Sequence, residues 1–288
     1  MKKKTRRWIA AIAAAAVLSL LGWALVWGNT ALVRTDVLVC SNGIPEAFDA
    51  YKIVQISDLH DAQIGKNNEK LIAMTAETEP DCIVLTGDFV DSSRFHPERS
   101  LSVAEALVKI APVYYVSGNH EAILPDEDYQ ALTDGLRGLG VCVLEDESAE
   151  LTRGGQSIRL IGLTDIGFHP GTLEEKKDAL RTALSALLPE DEFSVTLAHR
   201  PELMDVYTEC GAPLVLSGHA HGGQIRLPGM GGLIAPGQGL FPKYTEGKYE
   251  ENGTTLVVSR GIGNSVLPLR VNDRPQIVVV QLACNYRM

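Results

Sequence analysis

Apolar and polar positions fall into blocks along this chain. The first block, 8–27, is uncharged and rich in Ala and Leu. Twenty apolar residues in a helix rise about 30 Å, enough to cross a bilayer's hydrocarbon core. The run has no polar face to offer water, which argues against a core helix of a soluble domain. Residues 28–47 read as a linker. From there, short apolar runs at 51–56 (YKIVQI), 82–86 (CIVLT) and 113–117 (VYYVS) read as buried strands, separated by helical spacing at 66–79 and 97–110. Strands buried on both faces between helices mark an α/β domain. In the second half, Gly154-Gly155 lies between strand-like runs at 151–152 and 157–163 and predicts a hairpin. An amphipathic helix over 173–188 is ended by Pro189. Strands follow at 194–197 and 214–217, then a Gly-rich stretch at 222–239, then strands at 255–259 and 276–282. This order predicts two mixed sheets packed as a sandwich with flanking helices, preceded by one N-terminal transmembrane helix. The organisation is a basic tip (1–7), an anchor or uncleaved signal (8–27), a linker (28–47) and one domain (48–288).

Charge orients the first segment. Lys2, Lys3, Lys4, Arg6 and Arg7 precede the apolar run, and the next charge is Arg34. By the positive-inside rule the tip stays cytoplasmic and the domain lies outside. The stretch 5–9 (TRRWI) is similar to a twin-arginine export signal. Small residues at 29–31 offer a weak cleavage site, so a retained anchor is the preferred reading. Beyond residue 34 the chain holds 20 basic against 36 acidic residues, a formal net charge of −16. Such a surface repels polyanions, which excludes long nucleic acids as partners. An anionic substrate must then be attracted locally, which is work for metal ions. The five cysteines lack close spacing and suggest neither a zinc knuckle nor a disulfide framework. Cys82 and Cys142 read as core filler.

The chemistry lies in the turns at the strand ends. YKIVQI runs into Ser57-Asp58-Leu59-His60, CIVLT into Gly87-Asp88 with Asp91 beyond, and VYYVS into Gly118-Asn119-His120-Glu121. The strand ending at Leu197 gives His199-Arg200, and the strand ending at Ser217 gives Gly218-His219-Ala220-His221. Of seven histidines, five fall in these five turns, so the pattern is too ordered for chance. The C-terminal edge of an open α/β sheet is where ligands bind. Taken singly, Asp-x-His reads as a turn, Gly-Asp as a helix cap and Gly-Asn-His as a left-handed turn. Together they form a ligand set. Asp, His and Asn without Cys favour Mn, Fe or Zn at a catalytic site. One aspartate can bridge two ions about 3.5–4 Å apart through its two oxygens, and such a pair clamps a phosphate and lowers the pKa of bound water.

The order Asp-x-His, Gly-Asp-x-x-Asp, Gly-Asn-His-Glu, His, Gly-His-x-His resembles the calcineurin-like metallophosphoesterases over residues 51–282. The segments Gly222-Gly223-Gln224, Phe241-Pro242-Lys243-Tyr244 and 259–264 (SRGIGN) look like a bacterial branch of membrane-associated or exported phosphodiesterases, related to UDP-diacylglucosamine pyrophosphatases. The resemblance implies two divalent ions. Asp58, His60 and His221 would hold the first, Asn119, His199 and His219 the second, and Asp88 would bridge them. It further implies that His120 protonates the leaving group or stabilises charge, and that Asp91 orients His120.

Outside this set, Arg260 is the candidate for binding phosphate oxygens. Arg200 reads as a surface ion pair, Asp165 and His169 as turn residues, and His96 as a helix start. Leu227, Pro228, Met230, Leu233 and Ile234 in the Gly-rich stretch would give an apolar lip able to accept a lipid tail. The expected function is hydrolysis of a lipid-linked or envelope phosphodiester outside the cytoplasmic membrane. The alternatives are a lipid-nucleotide pyrophosphatase and a catalytically silent metal-binding envelope protein.

Overall fold

The structure, a computed structural model, describes residues 3–264 and 269–284. Met1 and Lys2 of the basic tip and the last four residues of the domain lie outside the described residues. The apolar N-terminal block forms helix α1 (Lys3–Thr30). The most apolar 18 residues of its span Arg6–Thr30 have mean hydropathy 2.4 and are not buried in the protein, so it is long and apolar enough to cross a membrane.

Two six-stranded mixed sheets come next. The first comprises β1 (Val33–Cys40), β2 (Lys52–Ile56), β3 (Cys82–Thr86), β4 (Val113–Val116), β5 (Cys142–Val143) and, from the far end of the chain, β16 (Gln276–Ala283), in the order β1-β16-β2-β3-β4-β5. The second contains β6 (Glu147–Arg153), β7 (Gln156–Gly162), β8 (Ser194–Leu197), β9 (Leu214–Ser217), β14 (Gly247–Glu251) and β15 (Thr254–Val258), in the order β14-β15-β9-β8-β7-β6. Two small ladders lie between β9 and β14: β10 (Arg226–Leu227) with β11 (Gly231–Gly232), and β12 (Ile234–Ala235) with β13 (Gly239–Leu240).

Successive residues of a strand point to opposite faces. In β3, Val84 therefore faces the second sheet, while Ile83 and Leu85 face helices. The inter-sheet core joins Ile53, Val84, Val116 and Val280 to Leu160, Val195, Leu197 and Leu216. Outside the first sheet, Leu71 of α2 (Glu69–Glu77), Val103 and Leu107 of α3 (Pro97–Leu107), and Leu132 and Leu136 of α4 (Asp126–Gly138) cover Val54, Ile83 and Leu85. Outside the second, Leu180 and Leu184 of α5 (Leu173–Leu187) and Val206 and Tyr207 of α6 (Met204–Cys210) cover Ile161, Val215 and Leu256. Each fully buried Val, Leu or Ile contributes about 1.5–3 kcal/mol, so this four-layer stack gives the strand ends a stiff base. Thr172 and Glu175 form a capping box at the start of α5.

Three expectations change. Residues 28–47 are not a linker, because β1 pairs with β16 along its whole length and Val37, Val39 and Ile44 enter the core. Only Ala31 and Leu32 separate α1 from β1. Cys142 is exposed, because the two-residue β5 lies at the sheet's edge; Cys82 is buried as expected. Helices α4 and α6 and strand β14 had no counterpart in the hydrophobic pattern. The Gly154-Gly155 hairpin forms between β6 and β7, with both glycines at positive φ as a two-residue turn requires.

Candidate metal centre

The five turns converge where the two sheets meet. Asp58, Asp88 and Asn119 follow β2, β3 and β4 of the first sheet. His199 follows β8 of the second, and His219 and His221 follow β9. Asp58, His60, Asp88, His219 and His221 all have positive φ, a conformation that non-glycine residues adopt rarely and that clusters at functional sites. Close packing of the loops demands glycine. A Cβ on Gly218 would stand 1.9 Å from Ser57 Oγ and 2.3 Å from Asp58 Oδ2. The sheets are tied beneath the site by Gln55, whose Nε2 donates to Thr86 Oγ1 (3.0 Å) and to the Ser217 carbonyl (2.8 Å).

Two groups of ligand atoms result, Asp58/His60/Asp88/His221 and Asp88/His199/His219, all buried. In the first, His221 Nε2 lies 3.2 Å from His60 Nε2 and 3.4 Å from Asp58 Oδ1, and His60 Nε2 lies 3.6 Å from Asp88 Oδ2. In the second, His199 Nε2 lies 3.2 Å from His219 Nδ1, 3.3 Å from Asp88 Oδ2 and 3.2 Å from Asn119 Oδ1. Two ligands each about 2.1 Å from one ion stand about 3.0–3.4 Å apart at octahedral or tetrahedral angles, so the donor set fits two divalent ions. Asp88 Oδ2 faces both groups. Its Oδ1 accepts the His120 backbone N–H at 2.8 Å, which fixes the orientation of the carboxylate.

Surrounding groups fix the rings. His199 Nδ1 is 2.8 Å from the Thr86 carbonyl, which can only accept, so Nδ1 carries the proton and Nε2 is left for a metal. His219 turns Nε2 toward Glu202 (3.5 Å), which leaves Nδ1 for the second group. Burial pushes His60 down to about 4 and His219 and His221 well below the usual imidazole range, so these rings are held neutral. Asp58 is pushed up to about 6 by burial. Burial opposes ionisation of Asp88 as well, but His199, His60 and His120 outweigh it and hold Asp88 well below the ordinary carboxylate range.

His120 packs edge-on to His60, ring centroids 4.5 Å apart. Its Nδ1 accepts the Ser92 N–H at 3.2 Å. Asp91 Oδ1 is 3.8 Å away, because the Asp91 carboxylate is engaged by Ser93 N and by Arg94 Nε and Nη2. Beside these residues opens a cavity of about 290 Å³, lined by His60, Gln63, Asp91, Arg94, Arg99 and Asn264 among others.

The remaining candidates lie elsewhere. Arg260 is ion-paired with Glu246, with Asp273 at 3.8 Å, so its guanidinium is committed away from the ligand groups. Arg200 binds Asp165 through two bonds of 2.7 and 3.0 Å and braces the turn after β8. His169 caps the short turn Ile166–Phe168, and His96 lies 3.3 Å from Glu98; neither joins a ligand group.

Sequence reading missed several supports. Glu121 is fully buried and accepts four backbone N–H groups from the Asp88 and Asn119 loops. Its position directly after Asn119-His120 was the available signal. Arg270, also fully buried, places Nη2 3.3 Å from His221 Nδ1 and donates to the Gly263 and Arg260 carbonyls. No local pattern marks it.

A family model described as calcineurin-like phosphoesterase matches residues 51–223. The chain is 32% identical to YkuE, an uncharacterized metallophosphoesterase of Bacillus subtilis, over 86% of this chain and 84% of that protein. It is 29% identical to the phosphodiesterase YaeI of Escherichia coli, over 81% and 82%. The crystal structure of TT1561 of Thermus thermophilus superposes with a TM-score of 0.51 at 15% identity, covering 74% of this chain and 90% of that one, a likeness of fold alone.

Proposed function

This chain belongs to the calcineurin-like phosphoesterase family, whose members use two divalent ions to hydrolyse phosphoesters, and we propose that it is a membrane-tethered phosphodiesterase acting on a lipid-linked or envelope phosphodiester outside the cytoplasmic membrane. The observation that carries the reading is the pair of buried ligand groups sharing Asp88 Oδ2, with His120 beside them and a polar cavity, lined in part by Arg99, opening next to them.

Asp58, His60, His221 and Asp88 would hold one ion, and Asp88, Asn119, His199 and His219 the other. The pair supplies charge neutralisation at the phosphate and an activated water. Water adds to phosphorus as the bond to the leaving oxygen breaks, and that oxygen needs a proton. His120 is set to give it. Because Ser92 N–H occupies Nδ1, Nε2 is the ring atom left to carry a proton to the leaving oxygen. Asp91 acts on His120 across 3.8 Å by its charge, and it also holds the 92–94 turn that presents the Ser92 N–H. Arg99, which lines the cavity, takes the anion-binding role expected of Arg260, while Arg94 is held by Asp91.

The membrane half of the reading is supported by α1 and by the basic residues at its start, which would stay in the cytoplasm. Asn29, in the last turn of α1, bonds to Arg270 and Asn264, so cleavage at 29–31 would cut a segment the domain uses; this favours a retained anchor. The test is reconstitution of the full chain with Mn or Zn in vesicles carrying envelope lipids. Release of phosphorylated headgroups or sugars is expected. Hydrolysis confined to soluble esters, or a C-terminal reporter active only in the cytoplasm, would overturn the substrate and topology assignments respectively.

A further inference from the structure

The anchor and the metal site lie at the same end of the domain. Strand β1 runs parallel to β16, and β16 is antiparallel to β2, β3 and β4. The start of β1, two residues past α1, therefore lies at the sheet edge where β2, β3 and β4 release Asp58, Asp88 and Asn119. The helix end is fastened there. Asn29 Oδ1 accepts from Arg270 N (2.9 Å) and from Asn264 Nδ2 (3.0 Å), and Asn29 Nδ2 donates back to the Arg270 carbonyl (3.2 Å). One turn from the end, the Arg274 guanidinium lies 4.6 Å over the Trp27 ring. Trp and Arg at a helix end mark the membrane–water boundary, so the 269–274 loop lies at that level.

The same loop carries the Gly-rich hairpins. Arg226 N donates to the Val271 carbonyl (2.9 Å), Val271 N to the Gln224 carbonyl (3.1 Å), and Phe241 N to the Leu233 carbonyl (2.9 Å). From α1 through Val271 to Phe241 the strip is continuous. Its most exposed side chains are apolar: Met230 at 63%, Leu240 at 67% and Phe241 at 57%, with Leu227, Leu269 and Val271 partly exposed beside them. The strip also adjoins the chemistry, because Gly222 follows His221 directly and Asn264 lines the cavity at the site. Apolar surface of this kind, continuous with a membrane helix, is what enters the headgroup–acyl boundary.

We infer that hairpins 226–241 and loop 269–271 form a second membrane contact, seated in the leaflet from which α1 emerges, so that the metal site opens on the lipid surface. The inference rests on the reading of α1 as membrane-spanning. It makes the bilayer interface the occupant of this face, and lets a lipid phosphate reach the site along the surface without leaving the leaflet.

The native full chain tests this without substitution. It is reconstituted in phosphatidylethanolamine–phosphatidylglycerol vesicles, labelled by a carbene reagent dissolved in the acyl phase, and digested with trypsin. Fragment 227–243 holds Met230, Leu240 and Phe241. Fragment 35–52 holds Leu38, which is 43% exposed but about 16 Å down β1 from the helix end, and serves as the control. Labelling of α1, and of 227–243 several-fold above 35–52, is expected. If α1 is labelled and 227–243 matches the control, the second contact is wrong and the membrane reading stands. Cross-linking of two chains through 227–243 would also overturn it, by making a second copy the occupant. If α1 itself stays unlabelled, the membrane reading fails and takes this inference with it.

Discussion

Replacing Glu121 by Gln removes no atom from the core, yet it should loosen the whole centre. Glu121 Oε2 accepts Asp88 N at 2.9 Å and Gly118 N at 2.7 Å, while Oε1 accepts Phe89 N at 2.7 Å and Val90 N at 3.1 Å. Burial and the nearby Asp88 charge push this carboxyl up to about 7, but all four partners are donors, which only the ionised form satisfies in full. In Glu121→Gln the amide oxygen keeps two of the four bonds, and the NH2 group points its hydrogens at the other two donors in either orientation. Each buried N–H left unpaired costs about 1–3 kcal/mol, so the loss is about 2–6 kcal/mol. For a domain of this size 1 kcal/mol moves Tm by about 2–4 °C, giving a fall of at least about 4 °C. The assay is thermal unfolding of the full chain in detergent, followed by near-UV circular dichroism. A fall below about 2 °C would refute the assignment of Glu121 as the clamp between the Asp88 and Asn119 loops.

His120→Ala should lower kcat about 10²–10⁴-fold while metal content stays unchanged, measured by steady-state kinetics and elemental analysis; loss of metal would make His120 a ligand instead of a proton donor. Asp58→Asn should weaken one metal site, and Asp88→Asn both, because Asp88 Oδ2 belongs to both groups; equal metal content in the two variants would contradict the bridging role. The two sites should also differ in pH dependence. Burial opposes charge on His199, but Asp88 and Asp58 outweigh it and raise His199 to about 10, so the metal-free protein holds a proton there at neutral pH. Loading that site expels the proton, and its affinity should rise about tenfold per pH unit between about pH 6.5 and 8.5. At the first site His60 is already neutral and Asp58 titrates near 6, so affinity should level off above that pH. Competitive chelator titrations check this, and parallel slopes at both sites would refute it.

The ligand turns were legible because few side chains bind metals and each came directly after an apolar run. What escaped depends on contacts between distant residues. Val33–Cys40 alternates Arg34 and Asp36 with apolar positions, as an edge strand does, but its partner β16 lies more than two hundred residues away, so it read as a linker. Helix α4 buries only Leu132, Thr133 and Leu136, too few to stand out in so polar a stretch. Arg260 was placed at the site because it ends a strand. Its guanidinium direction was set by Glu246, on another loop, which the sequence around Arg260 does not reveal. The use of one Asp88 oxygen by His120 N is likewise a property of the folded turn, since composition tells nothing of which lone pairs remain free. Glu121 stands inside a recognised motif, yet its role as a clamp appears only when the two loops are brought together.

The most direct measurement of the two-ion centre is metal content and phosphodiester turnover on one sample of the full chain. The ligand groups predict two ions per chain, hydrolysis of bis-p-nitrophenyl phosphate that disappears on chelation, and recovery when the second equivalent of Mn or Zn is restored. Full turnover with a single bound ion, or turnover that survives chelation, would contradict the shared centre at Asp88.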